Sequence, residues 1–280
     1  PFMLQYLELG SQILGSGQLR DNRTDIRSIA MFGSRMRFDL SDNKLALITT
    51  KKLHLKSVIH ELIWMLSGDT NIRYLNDNGV TIWDEWADEN GELGPVYGAQ
   101  WRAWRVIEET PNGLAVRVID QIANLIDTLR NNPHDRRMIV TAWNVGRLHE
   151  MRLAPCHMMF QCFSDLDQET GERLLSMQVY QRSVDYFLGL PFNLIFYSIL
   201  AHMLAEQTGH KAHELIHIGG DVHIYENHID QVKLQLSRDP KDAEARLVLT
   251  PRSSIDEYTF ADVNVTGYDA HPHIKGAVAV

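Results

Sequence analysis

The sequence holds only two cysteines, Cys156 and Cys162, in 280 residues. A single pair cannot staple a domain of this size, so a disulfide framework is excluded. The thiols point instead to a reducing compartment, or to one cysteine kept for its reactivity. Basic residues are in deficit: 27 Lys plus Arg against 36 Asp plus Glu give a formal charge of −9. That excludes an evenly basic surface, and with it general gripping of a nucleic-acid backbone. It leaves room for a local cluster of arginines around one small phosphate. The most apolar helical stretch, Leu194 to Ala205, is broken by Ser198 and His202 and is too short to span a bilayer. The opening residues PFMLQYLELG lack the basic and apolar regions of a secretory signal, so the expectation is a soluble cytoplasmic protein with no membrane partner. Neither GxGxxG nor GxxxxGK followed by Ser or Thr occurs, which leaves a dinucleotide fold or a P-loop unsupported.

Apolar content is high, at 44%, enough to offset the ordering entropy and exclude disorder. No repeat, low-complexity tract or linker divides the chain, so it reads as one domain over 1–280. A first helix is predicted from Met3 to Gly15, followed by the polar loop QLRDNRTDIRS with its three arginines. IAMFGSRMRFDL is strand-like. In HLKSVIHELIWMLSG, Val58, Ile59, Leu62, Ile63 and Leu66 repeat at helical spacing and Gly68 stands at the C-terminal stop. Arg117 to Arg130 reads as an amphipathic helix stopped by NNP, and RRMIVTAW as a strand. In LLSMQVYQRS, Met177, Val179 and Gln181 alternate with Gln178, Tyr180 and Arg182, the period of a strand. Asn193 opens a long apolar helix that ends near Gly209. Helices and strands mix without a βαβ rhythm, which predicts an α+β fold.

The string HELIHIGGDVH, His213 to His223, matches a zinc-protease pattern at every position, but that chemistry needs the first two histidines one turn apart on a helix. Gly209 already ends the preceding helix, Gly219-Gly220 follows, and no methionine occurs after Met203 to make a Met-turn. A strand is the better reading, no metal is expected, and the period of two puts His223 and Tyr225 on one face. Cys156, in LAPCHMMF, is an inert core thiol on residue statistics alone; Arg182 and the tandem Arg136-Arg137 would lower its pKa if the fold gathered them. Cys162 reads as a packing residue. Arginines at 23, 136, 137 and 182 would make a compact anion site, guanidinium forks being natural partners of a phosphate dianion. Glu61, on the flank of its helix's apolar stripe, reads locally as a surface acid.

Several long strings resemble the thymidylate synthase family over essentially the whole chain. They are TTKK (49–52), HELIW (60–64), GVTIWDEWADENGELGPVYGAQWR (79–102), DRRMIVTAWN (135–144), LAPCH (153–157), YQRSVDYFLGLPFN (180–193), GGDVHIYENH (219–228) and the closing GYDAHPHIKGAVAV. The resemblance absorbs the zinc-like string into GGDVHIY. It implies one thymidylate-synthase-like domain, a mixed β-sheet with flanking helices that dimerises through the sheet, and residues 276–280 as a closing tail. It implies reductive methylation of dUMP to dTMP, with 5,10-methylenetetrahydrofolate giving carbon and hydride and leaving as dihydrofolate. The alternative within the family is a dUMP hydroxymethylase, in which water captures the methylene intermediate and no dihydrofolate forms.

The same resemblance implies the residue roles. Cys156 is the nucleophile that adds to uracil C6, making C5 enolate-like. Arg182 assists its ionisation and binds phosphate with Arg23 and Ser183, while Arg136 and Arg137 reach the partner's phosphate in a homodimer. Asn193 reads the O4 and N3–H edge of uracil, since a carboxamide accepts and donates; related dCMP hydroxymethylases place aspartate there. His223 and Tyr225 hold the deoxyribose 3′-hydroxyl. Glu61, with Tyr97 and water, moves protons at O4 and C5. Asp185 bonds the pterin, and Lys51, Ile82, Trp83, Trp86, Leu153, Leu188, Gly189, Phe192, Val278 and Ala279 wall the folate pocket.

Two departures stand out. RTDIRS, 23–28, replaces a common RTGTGT and puts Asp25 and Arg27 beside Arg23, the phosphate ligand that the resemblance implies. KGAVAV replaces KAPVAI, and Gly276 with Ala277 is expected to loosen the tail and admit water. Two rival classes are a zinc hydrolase built on HELIH and an RNA-binding regulator, which the net charge makes secondary at most.

Overall fold

In the computed structural model, which describes residues 3–242 and 244–279, the chain opens with helix α1 (Met3–Ser16). Its buried Met3, Tyr6, Leu9 and Ile13 recur at helical spacing and face the core. Strands β1 (Gln18–Arg20) and β2 (Ser28–Asp39) precede α2 (Leu55–Leu66), α3 (Arg73–Asp77) and α4 (Gly98–Ala103). The hairpin β3 (Trp104–Thr110) and β4 (Gly113–Ile119) leads into α5 (Gln121–Asn131), β5 (Ile139–Thr141), β6 (His157–Leu166) and β7 (Arg173–Asp185). Then come α6 (Gly189–Thr208), β8 (His210–Tyr225), α7 (Ile229–Leu236), β9 (Arg246–Leu249) and β10 (Val263–Thr266).

Six of these strands form one mixed sheet in the order β1-β2-β8-β7-β6-β5. Every neighbouring pair is antiparallel except β7 and β8, which run parallel because the long helix α6 carries the chain back between them. Helix α6 is buried on nearly all sides, so it is the centre of the core rather than a covering layer. One continuous apolar cluster joins it to α1, α2, α5 and the strands. Where α2 meets α4 the backbones touch: a Cβ on Gly98 would lie 2.4 Å from the Met65 carbonyl oxygen. No helix among the described residues is long and apolar enough to cross a membrane.

Three element expectations are corrected. Residues 117–119 belong to β4, paired with Trp104, Arg105 and Val106, and the helix starts only at Gln121, where the Asp120 carboxylate caps the Ala123 N–H. Val116, Val118 and Ile119 carry the strand preference that a helical reading overlooked. Helix α6 starts at Gly189 rather than Asn193, because Asp185 Oδ1 accepts the N–H groups of Phe187 and Leu188 ahead of it and Pro191 is tolerated in the first turn. Of RRMIVTAW, only Ile139–Thr141 pairs as strand. HELIHIGGDVH lies on β8, an extended strand, so its histidines cannot take the one-turn spacing of a helical zinc site.

Candidate active site

Cys156 sits just before β6, half-buried, with its N–H donating to the Tyr97 hydroxyl at 2.8 Å. Arg182, on the adjacent β7, is pinned over the same turn: its backbone N–H donates to the Cys156 carbonyl, Nε to Pro155 O at 2.7 Å and Nη2 to Ala154 O at 3.1 Å. Burial raises the Cys156 thiol pKa above the ordinary thiol range; Arg182 and Arg23 pull it down and Asp185 pushes it up. The sum is upward: Arg182 pulls the thiol down as the sequence suggested, but desolvation outweighs both arginines. Arg136 and Arg137 are exposed and play no part in that balance, Arg137 pairing with Asp135 at 3.2 Å. Cys162 is buried, its thiol pushed up to about 12, and serves packing.

Tyr97 adopts φ 29° and ψ −85°, a conformation that a non-glycine residue holds only when its surroundings dictate it. Its ring stacks on His157, 4.4 Å between centroids, and its hydroxyl meets the cysteine backbone. Glu61 is not a surface acid. It is 4% exposed, burial pushes its pKa up to about 8, and the 3.1 Å hydrogen bond from Trp83 Nε1 only partly opposes that rise. The carboxyl is therefore protonated at neutral pH and able to donate.

Asn193 is buried near the start of α6, with Oδ1 accepting from Gln181 Nε2 at 3.1 Å. Gln181 Oε1 in turn meets His217 Nε2 at 2.8 Å. His223 and Tyr225 share a face of β8 as the alternation predicts, 5.1 Å between ring centroids, and His223 Nδ1 lies 3.0 Å from Asp221. Ser183 and Asp185 follow on β7, both half-buried. Arg23 is exposed in a loop closed on itself by Asn22 and Thr24, and close enough to Cys156 and Tyr225 to act on both electrostatically. Arg27 turns away to pair with Glu226 at 3.1 Å, so it does not crowd Arg23.

Trp83 packs against Trp86, Tyr97 and Trp64 with centroids about 6 Å apart. Ile82 is exposed, and Trp86, Leu153, Leu188, Gly189 and Phe192 are half-buried, partly open surface on three segments. Lys51 is committed elsewhere: Nζ donates to Phe187 O at 2.5 Å, sits 3.5 Å over the Phe187 ring, and is pushed down to about 7 by burial. In the tail, Ala279 is buried and Val278 exposed; Val280 lies outside the described residues. Gly276 packs close against Phe187, where an added Cβ would fall 2.6 Å from the ring. Sequence reasoning missed Gln181, His157 and His217 as neighbours of the site. Gln181 was signalled by its place on the apolar side of β7, where a buried amide demands partners.

The fold therefore brings Cys156, Glu61, Tyr97, Arg182, Arg23, Asp185, Asn193, His223 and Tyr225 onto the elements around one β7–α6–β8 unit, and leaves Arg136 and Arg137 on an outer surface. A family model described as thymidylate synthase matches residues 4–280. With nearly the whole chain matched and the mixed sheet in place, the chain belongs to the thymidylate synthase family.

Proposed function

We propose that the protein methylates dUMP to dTMP with 5,10-methylenetetrahydrofolate, over a single catalytic domain closed by residues 276–280, as a cytoplasmic homodimer. Cys156 adds to C6 while the protonated Glu61, with Tyr97, supplies hydrogen bonding toward O4. Asn193, its Oδ1 held by Gln181, presents its amide N–H group to the base edge; Arg23, Arg182 and Ser183 take the phosphate, and His223 and Tyr225 the 3′-hydroxyl. The folate supplies the one-carbon unit and the hydride. Asp185, Trp83, Trp86 and the half-buried apolar residues suit a flat, partly polar ring system. The observation that carries the reading is the buried, proton-holding Glu61 on the same site as an arginine-flanked Cys156.

Methylation rather than hydroxymethylation is favoured by the tail, whose Gly276 packs close to Phe187 and whose Ala279 is buried. Incubation with dUMP and methylenetetrahydrofolate should give dTMP and dihydrofolate in equal amounts. Hydroxymethyl-dUMP without dihydrofolate would instead identify the hydroxymethylase.

A further inference from the structure

His228 lies just past the sugar-facing strand β8 and belongs to none of the roles above. It is 0% exposed, and its Nε2 is 2.6 Å from the carbonyl oxygen of Ala277 in the tail. A carbonyl only accepts, so Nε2 carries the proton and donates. Nδ1 is buried and has no partner among the described residues, so the ring's one strong hydrogen bond is the one to the tail. Its ring contacts Tyr225 edge-on at 6.0 Å and Phe187 at 5.1 Å.

Gly276 completes the contact. A Cβ there would fall 2.6 Å from Phe187 Cε1 and 3.2 Å from His228 Nε2. Phe187 cannot move aside: it is fully buried, its carbonyl accepts from Lys51, its ring lies under the Lys51 ammonium, and its N–H is held by Asp185. The tail approaches this wall at a distance that a Cβ at residue 276 would disturb.

We infer that His228 is a positioning residue: a hydrogen-bonded clasp that, with Gly276, holds the tail against the Phe187 turn and ties it to Tyr225. Its effect on product rests on the proposed methylation. When the tail is down, the exocyclic methylene on C5 accepts hydride, giving methyl and dihydrofolate. When the tail lifts, water adds to that methylene, giving hydroxymethyl with the folate released as tetrahydrofolate.

The test uses the full-length enzyme and two variants of His228. His228→Gln keeps a donor near the Nε2 position, while His228→Phe keeps the ring packing and removes the donor. Two readouts are taken: the rate at which carboxypeptidase releases Val278 and Ala279, and the dihydrofolate formed per dUMP consumed. A clasp predicts release about tenfold faster in His228→Phe, near the wild-type rate in His228→Gln, and faster in Gly276→Ala, with the dihydrofolate ratio falling in step. The reverse order, Phe like wild type and Gln fast, would reduce His228 to packing and overturn the inference, as would equal release rates in all variants. The release readout needs no turnover. If wild type makes no dihydrofolate, the methylation reading fails while the clasp is still decided.

Discussion

Two residues hold their protons where a solvent-exposed side chain would not. Glu61 is pushed up to about 8 by burial, and Cys156 is raised by burial against the pull of two arginines. If Glu61 acts as the acid, turnover depends on its protonated form, which persists below about pH 8 and declines tenfold per unit above it. Glu61→Gln cannot ionise. We expect kcat to fall about 10²–10⁴-fold, the dUMP dissociation constant to change little, and the alkaline decline near pH 8 to vanish. A Gln variant that keeps the decline would remove Glu61 from that role. Cys156 gives a second handle. Alkylation by iodoacetamide should accelerate with pH at values above those of an ordinary thiol, and Arg23→Gln should push that rise further up, since one of the two opposing cations is gone. An unshifted profile would place Arg23 outside the thiol's field. Sequence named both groups, but only through the resemblance. Locally Glu61 is one acid on a helix, and its burial depends on Trp83 arriving from 22 residues away.

At the scale of elements, strands and helices with unmixed periodicity were legible, and junctions were not. The alternation in LLSMQVYQRS and the run that becomes α6 each declared themselves, because burial on one face or on all faces leaves a pattern. The β4–α5 junction did not, since Val116 to Ile119 and the amphipathic stretch after it abut with only Asp120 between. The parallel β7–β8 pairing was equally silent, being settled by where α6 packs. Close helix packing also hides in sequence. Gly98 permits α4 to rest on the Met65 carbonyl, a backbone atom that cannot rotate away. Gly98→Ala should cost about 1–3 kcal/mol by overpacking and lower the thermal midpoint by several degrees. Because α2 also carries Glu61, kcat should fall in the same variant. An unchanged midpoint would mean that the two helices separate freely.

For the whole molecule, the net negative charge and the proposed phosphate site are reconciled by placement. Arg23 and Arg182 lie at the thiol, while Arg136 and Arg137 lie away from it. The Arg136 carbonyl accepts from Gln161, which lines a shallow depression with Arg37, Phe163, Gln178, Glu214 and Ile216 across four strands of the main sheet. Phe163 there is 65% exposed, a large apolar side chain of the kind that an interface covers. If two copies meet through this surface about a two-fold axis, each chain's tandem arginines are carried to the other's site. Subunit mixing then makes a sharp prediction. Cys156→Ser and the double variant Arg136→Glu, Arg137→Glu should each be nearly inactive alone. In a mixed dimer, the chain with intact Cys156 receives intact arginines from its partner, so one of the two sites is complete. Random exchange makes about half the dimers mixed, and activity should recover to about one quarter of wild type. Recovery has to follow denaturation and refolding of the mixture, or slow exchange at low concentration, and should track the mixed-dimer fraction. Were the arginines to serve their own chain's phosphate, the mixed dimer would contain no complete site, and activity would stay at the level of the separate variants.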